Sequence, residues 1–341
     1  MKIFSSRWTR PVGVSILAAG MAVGMSSLAD AAPTAPPIGN LAAGVADDGA
    51  HVVAETAVDN SIEDLTVDSP ALGGDVTVRI VLPADWYSKP KATWPTLYMM
   101  PGAQETDPSA IWTSQTDFEQ FMHGRNVLSV LPAEGFVGIA TNYLNGPAYA
   151  TFTAVELPQI MQRGFRSSGR NAITGVSTGG YSAMMLAADY PGEYKAAASY
   201  SGLLDTQFPL LSTLVLDDVL SSANLPSTAL WGSQLFNAST WSANNPVNVT
   251  SQLRGIPLFV SFGSGIPGPY DNASDPLLTV ESGFLESSAE DTDEAFLTSA
   301  ASSGDTVTTD AYVFGTHTWP YWQREFQRSW PMLASALGVR G

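Results

Sequence analysis

Ala172-Ile173-Thr174-Gly175-Val176-Ser177-Thr178-Gly179-Gly180, continued by Tyr181-Ser182-Ala183-Met184-Met185-Leu186, is the stretch on which the fold turns. A short apolar run leads into Gly-x-Ser-x-Gly, and a helix-period segment carries on to Tyr190. A strand that reverses into a helix within so few residues leaves no room for side chains at 175 and 179, which accounts for the glycines. The same tight turn lifts the Ser177 hydroxyl clear of the backbone. Directly behind it, the start of a helix offers unpaired amide donors and the positive end of a dipole to any charge developing on a bound carbonyl oxygen. Ser177 is therefore the candidate nucleophile.

Working outward, apolar runs alternate with helix-period segments. Thr77 to Pro83 alternates with period two and reads as a strand near the sheet edge; Pro95 to Gly102, Val127 to Leu131 and Val137 to Ala140 read as further strands. An amphipathic helix is expected over Thr151 to Phe165, a strand over Lys195 to Tyr200 and another over Pro257 to Phe262. A helix from about Glu294 to Ala301, a strand over Thr306 to Phe314 and a last helix over Tyr321 to Leu337 complete the pattern. This alternation predicts an α/β class, a mostly parallel central sheet with helices on both faces, with residues 61–341 as one catalytic domain. The Leu-rich segment Phe208 to Trp241 is expected as a short cap or lid.

Composition closes off other chemistries. The 341 residues hold 15 Lys plus Arg against 32 Asp plus Glu, a formal charge of −17, which disfavours nucleic-acid and anionic-membrane binding. With no Cys there is no disulfide and no thiolate, and the three His at 51, 123 and 317 have no metal-site spacing, so neither metal nor cofactor is expected. Lys2, Arg7 and Arg10 precede an apolar stretch from Val12 to Leu28 that ends in Ala29-Asp30-Ala31, the pattern of a secretory signal peptide over 1–31. Its removal leaves 12 cationic against 31 anionic residues. Residues 32–60, rich in Ala, Pro and Gly at their start, are expected to be a flexible leader. The mature chain is expected outside the cell or in its envelope, without a transmembrane anchor, as a monomer.

A serine hydroxyl needs a base. Of the three His, only His317 lies downstream of Ser177, in Gly315-Thr316-His317-Thr318-Trp319 after a strand, where a fold with this elbow places its base last in chain order. The acid partner stays open at this level. Asp271, Asp275, Glu281, Glu286, Glu290, Asp291, Asp293 and Glu294 all fall between the strand at 257 and His317. Proximity to the strand end favours Asp271 or Asp275, and most of the others read as a solvated acidic face.

From about Asp64 to Leu337 the chain resembles the antigen 85 type mycolyltransferases of mycolic-acid bacteria, including the corynomycolyltransferases. The landmarks are Tyr98-Met99-Met100-Pro101-Gly102, Glu156-Leu157-Pro158, Ser201-Gly202-Leu203-Leu204-Asp205, Phe284-Leu285-Glu286 and Gly315-Thr316-His317-Thr318-Trp319-Pro320-Tyr321-Trp322. The resemblance implies an α/β-hydrolase fold and transfer of mycolyl groups from trehalose monomycolate to trehalose monomycolate or another cell-envelope hydroxyl. It implies Glu286, in the Phe-Leu-Glu string, as the acid, the amides of Ala103 and Thr178 as the oxyanion hole, and Trp319 beside the acyl and sugar site. Where the family commonly has an Asp and an Arg contacting trehalose, this chain has Pro101 and Gln104, and it lacks the family's paired Cys. That leaves the acyl chemistry in place and the acceptor open, with Gln104 at a substrate-binding position. A secreted carboxylesterase and a non-catalytic binding protein on the same scaffold are the competing expectations.

Overall fold

The computed structural model describes residues 38–209, 211–271 and 275–341; the expected signal peptide over 1–31 and the first residues of the leader lie outside them. Nine strands make one sheet in the order β1-β2-β3-β5-β4-β6-β7-β8-β9. They are β1 (His51–Ala57), β2 (Ile62–Ser69), β3 (Gly74–Val81), β4 (Trp94–Met100), β5 (Leu128–Pro132), β6 (Ser167–Val176), β7 (Tyr194–Tyr200), β8 (Leu258–Ile266) and β9 (Val307–Phe314). β1, β2, β3 and β5 pair antiparallel, and every pair from β5 through β4 to β9 is parallel. The main helices are α1 (Leu157–Gly164), α2 (Thr178–Asp189), α3 (Leu211–Ser222), α4 (Pro276–Ser303) and α5 (Trp319–Leu337).

Strand side chains point alternately to opposite faces, so the buried central strands feed two cores. Leu97, Met99, Ala196, Ala198 and Tyr200 share one with Trp322, Phe326, Trp330 and Leu333 of α5. Their neighbours Tyr98, Met100, Ile173, Leu258 and Val260 share the other with Ile160 and Met161 of α1 and Met184 and Leu186 of α2. Both faces are covered, and the strand ends carrying the candidate residues emerge at one rim.

Four expectations need correction. The described part of the leader is folded: Ile38–Gly341 is one unit, the Ile38 and Gly39 amides donate to the Glu55 carboxylate, and β1 pairs along β2. Its polar, acidic sequence suits an antiparallel strand with one wet face, which reads like a linker when judged by composition. Consequently β3 is not next to the edge, because β1 and β2 lie outside it. Val137 to Ala140 is a buried turn instead of a strand. Gly138 there has φ 62°, and a Cβ on it would stand 2.4 Å from the Gly102 carbonyl oxygen, so the segment folds closely over the turn after β4. Finally, the short helix expected near 294–301 is the end of the 28-residue α4.

The cap between β7 and β8 consists of α3 and the chain up to Val249, anchored by buried Leu216, Leu220, Leu230, Trp231 and Trp241. Below it, Glu134 is wholly buried, accepting a bond from Thr153 Oγ1 at 3.1 Å while its other oxygen has no partner among the described residues. Burial pushes this carboxyl up to about 8. The folded state therefore holds the proton more tightly than the unfolded chain, a contribution fully present below the ordinary carboxyl range and lost as pH rises toward 8. Glu134→Gln, which cannot ionise, is expected to melt about 4 °C above the wild type at pH 8 and level with it near pH 5. An equal offset in thermal melts at both pH values would contradict this assignment.

Candidate active site

β6 ends at Val176 and α2 begins at Thr178, leaving Ser177 between them at φ 53°, ψ −124°. A residue with a side chain tolerates such a backbone only where its surroundings enforce it. Here the Ser177 amide donates to the Tyr200 carbonyl at 2.9 Å. A Cβ at Gly175 would lie 2.2 Å from the Gly179 carbonyl oxygen, and one at Gly179 would lie 2.2 Å from that of Pro101. The two glycines let β6, α2 and the turn after β4 meet around the serine.

His317 lies in the turn from β9 to α5, held by its own amide, which donates to the Ser282 carbonyl at 3.0 Å. Its Nε2 is 2.9 Å from Ser177 Oγ, and its Nδ1 is 2.9 Å from Glu286 Oε2. Glu286 projects from α4 and is fully buried; its Oε1 accepts from the Gly263 amide at 2.6 Å, Ser201 Oγ at 2.8 Å and Tyr312 Oη at 3.4 Å. The remaining sequence candidates lie elsewhere. Asp271 braces the His317 turn, accepting from the Thr316 hydroxyl, from Tyr321 Oη at 2.7 Å and from the Gly268 amide at 2.6 Å. Asp275 caps α4 by accepting from the Leu278 amide. His51 sits on β1 and His123 ends a short helix at Met122.

The amide of Thr178 belongs to the first residue of α2, where no intrahelical acceptor exists, and that of Ala103 follows Gly102, whose Cβ position is 3.6 Å from Ser177 Cβ. Next to Ala103, Gln104 has φ 63°, donates its amide to Phe136 at 2.7 Å and reaches across to Asp218 of α3 with its side chain at 3.1 Å. Burial pushes Glu105 up to about 7, and a hydrogen bond from Trp319 works against that rise. Trp319 stacks edge-on against Trp112 and Trp322, and Trp322 stands edge-on to the His317 ring at 4.8 Å. Beside this turn the first half of α4 leaves Leu277, Leu278, Val280 and Phe284 exposed.

Two further groups stand behind Glu286. Ser201, at φ 50° and 1% exposed, donates to Glu286 and accepts from Trp322 Nε1 at 3.0 Å, tying the carboxylate to the start of α5. It opens the Ser-Gly-Leu-Leu-Asp string, the sequence signal by which this residue could be found. Asp293, read as part of a solvated face, is instead fully buried; it accepts from the Gly202 amide at 3.2 Å, and burial together with the nearby Glu286 charge raises its carboxyl well above the ordinary range. Ser201→Ala removes one charge-assisted bond but leaves the Gly263 amide in place. Its kcat is expected to fall about 10–100-fold with KM nearly unchanged. Steady-state kinetics on a chromogenic ester check this, and a loss confined to KM would assign Ser201 to substrate binding instead.

Chemically, this arrangement lets an imidazole, steered by a buried carboxylate, take the proton of a serine hydroxyl while backbone amides wait for an oxyanion. Among the described residues no group of His, Asp and Glu is placed to hold a metal ion, and no helix is long and apolar enough to cross a membrane.

A family model described as "Putative esterase" matches residues 69–333. The chain is 27% identical over 291 residues to diacylglycerol acyltransferase/mycolyltransferase Ag85B of Mycobacterium intracellulare, covering 82% of this chain and 84% of that protein. It is 28% identical over 312 residues to diacylglycerol acyltransferase/mycolyltransferase Ag85C of Mycobacterium leprae, covering 86% and 87%. Among solved structures, Mycobacterium tuberculosis MPT51 (FbpC1) superposes with a TM-score of 0.66 at 20% identity over 82% of this chain and all of that one, a likeness that bears on the fold.

Proposed function

The chain belongs to the esterase family, and from that premise we propose that it is a secreted serine acyltransferase that moves mycolyl groups from trehalose monomycolate to trehalose monomycolate or another cell-envelope hydroxyl. The observation that carries the reading is the unbroken Ser177–His317–Glu286 chain of contacts in a protein whose curated relatives are named mycolyltransferases. In this reading Ser177 attacks the donor ester and its proton passes to His317 Nε2. Glu286 holds the imidazole in the tautomer that leaves Nε2 free to accept, and stabilises the imidazolium. The amides of Ala103 and Thr178 hold the oxyanion of the tetrahedral intermediate. His317 then protonates the departing sugar oxygen, leaving the acyl group on Ser177. An acceptor hydroxyl, deprotonated by the same imidazole, attacks in turn and releases the serine.

Transfer outruns hydrolysis only when the acceptor is held in place and water is kept sparse. The Trp112, Trp319 and Trp322 cluster and the exposed apolar start of α4 supply a suitably dry rim. The basic and then apolar first 31 residues support export.

One observation favours a second reading. Pro101 and Gln104 stand where the resembling family commonly has an acid and an arginine on the sugar, so acceptor binding is weaker in charge and hydrolysis competes better. Incubation with trehalose monomycolate followed by product analysis separates the two. Dimycolate or an acylated acceptor supports transfer, and free mycolic acid alone makes the protein a carboxylesterase.

A further inference from the structure

Asp293 follows Glu286 by seven positions on α4, roughly two helical turns, so both side chains leave the same face of the helix. Both are fully buried. The reaction uses Glu286 and leaves Asp293 without a task.

What the two carboxyls share is the turn after β7. Ser201 Oγ donates to Glu286 Oε1 at 2.8 Å, and the next residue, Gly202, donates its amide to Asp293 Oδ2 at 3.2 Å. Thr292, beside Asp293, places its Oγ1 at 3.1 Å from the Gly202 carbonyl oxygen and accepts the Leu204 amide at 3.3 Å. The grip matters because Ser201 has φ 50°, a backbone that a serine keeps only under constraint. Released, it would relax and carry its hydroxyl off Glu286.

Charge decides the form in which Asp293 does this. No Lys or Arg occurs between Lys195 and Arg254 or between Arg254 and Arg324. Of the segments packed on α4, β8, residues 246–253 and the turn 201–204 contain no charged residue. β9 brings Asp310, paired with Arg328, and Tyr312, which donates to Glu286. Asp205, just past the turn, accepts from Asn245 and the Gln207 amide, and on α4 itself Glu290, Asp291 and Glu294 add only like charge. An ionised Asp293 would be a buried charge with no counter-charge, its Oδ1 lacking any donor among the described residues. Burial first, and the Glu286 charge second, hold its proton well above the ordinary carboxyl range. A carboxylic acid also has a hydrogen to give. Ser199 Oγ, buried and equally without a partner among the described residues, lies against the same glycine, 2.3 Å from where a Cβ on Gly202 would stand.

We propose that Asp293 is a positioning residue for Glu286, an un-ionised carboxyl that acts through Gly202 and Ser201. The proposal rests on the reading of Glu286 as the partner of His317 and gives Asp293 no contact with substrate.

Kinetics of the mature chain on one chromogenic ester test it. Asp293→Asn keeps the shape and the acceptor oxygen, and its kcat should stay within about twofold of wild type; Asp293→Leu should lower kcat about 10-fold with KM nearly unchanged. Because that loss runs through Ser201, the leucine should cost under about twofold more where Ser201 is already Ala. A negative charge at 293 would favour the imidazolium, so for Asp293→Asn the acid limb of the kcat/KM profile should stay within about 0.2 of a pH unit of wild type. At neutral pH the infrared difference between wild type and Asp293→Asn should contain the carbonyl stretch of a protonated carboxyl. An acid limb lowered by about half a unit or more in Asp293→Asn, or no such band, would show an ionised Asp293 and overturn the proposal. Equal losses from Asp293→Leu with and without Ser201 would overturn it as well. The Asn readouts stand even where the leucine variant does not fold. Failure of the underlying reading shows separately, as Glu286→Gln at wild-type turnover with the Asp293 infrared band still present.

Discussion

Replacing Ser177 with Ala is expected to lower kcat on a chromogenic ester by about 10⁶-fold and to abolish labelling by a fluorophosphonate, with the protein still folded. The change removes the only atom on which an acyl-enzyme can form, since Oγ is the group His317 Nε2 meets at 2.9 Å. Some rate above that of water should persist, because oxyanion donors and substrate binding survive the loss of the nucleophile. For the same reason, adding His317→Ala to Ser177→Ala should cost almost nothing more: a base without a nucleophile has no proton to take. Multiplicative losses in the double variant, or undiminished labelling of Ser177→Ala, would move the nucleophile elsewhere.

The second large effect is expected at Glu286→Gln, about 10⁴-fold in kcat. The site dictates how the new amide must lie. Three donors, the Gly263 amide, Ser201 Oγ and Tyr312 Oη, converge on Oε1, so the carboxamide oxygen belongs there and its NH₂ faces His317 Nδ1. An NH₂ there requires Nδ1 to be the acceptor and places the ring proton on Nε2, which then points a donor at a serine that needs an acceptor. Asp271→Asn offers the contrast. Asp271 touches Thr316 and Tyr321 and not the imidazole, so its loss loosens the turn without reversing the tautomer, and the cost should be at least a hundredfold smaller. A larger effect at Asp271 than at Glu286, measured as kcat on one ester, would reverse the two assignments.

The elbow and the base were legible because each depends on local spacing and chain order: Gly175 and Gly179 around Ser177, and one His downstream. The carboxyl that meets His317 was not, since ten carboxyls share the interval, eight of them candidates, and the way α4 rolls on β8 decides which of its side chains turns inward. That helix was itself half hidden. Its first turns carry Leu277, Leu278, Val280 and Phe284 on exposed positions, which breaks the amphipathic period by which a surface helix is read. Glu286 was named through family resemblance, and Asp293 was misread because burial of an acid leaves no trace in composition. β1 and β2 were missed for the opposite reason. Thr66 and Asp68 alternate with buried Leu65 and Val67, a one-sided pattern diluted by acids at an edge that polarity disguises as linker. Val137 to Ala140, apolar enough for a strand, is buried by the turn it covers and has no sheet to join.

The separation of 140 positions between Ser177 and His317 also sets a timetable. A nascent polypeptide carries its serine, elbow and the neighbouring amides long before β8, α4 and the turn to α5 exist. Contacts this distant in sequence close late, after the nearer pairings have formed. Until then the Ser177 hydroxyl has no imidazole beside it, and the immature chain is far less reactive toward esters than the folded one. Reactivity is switched on by completion of the fold, and recovery of ester turnover during refolding reports the docking of the C-terminal third onto the sheet.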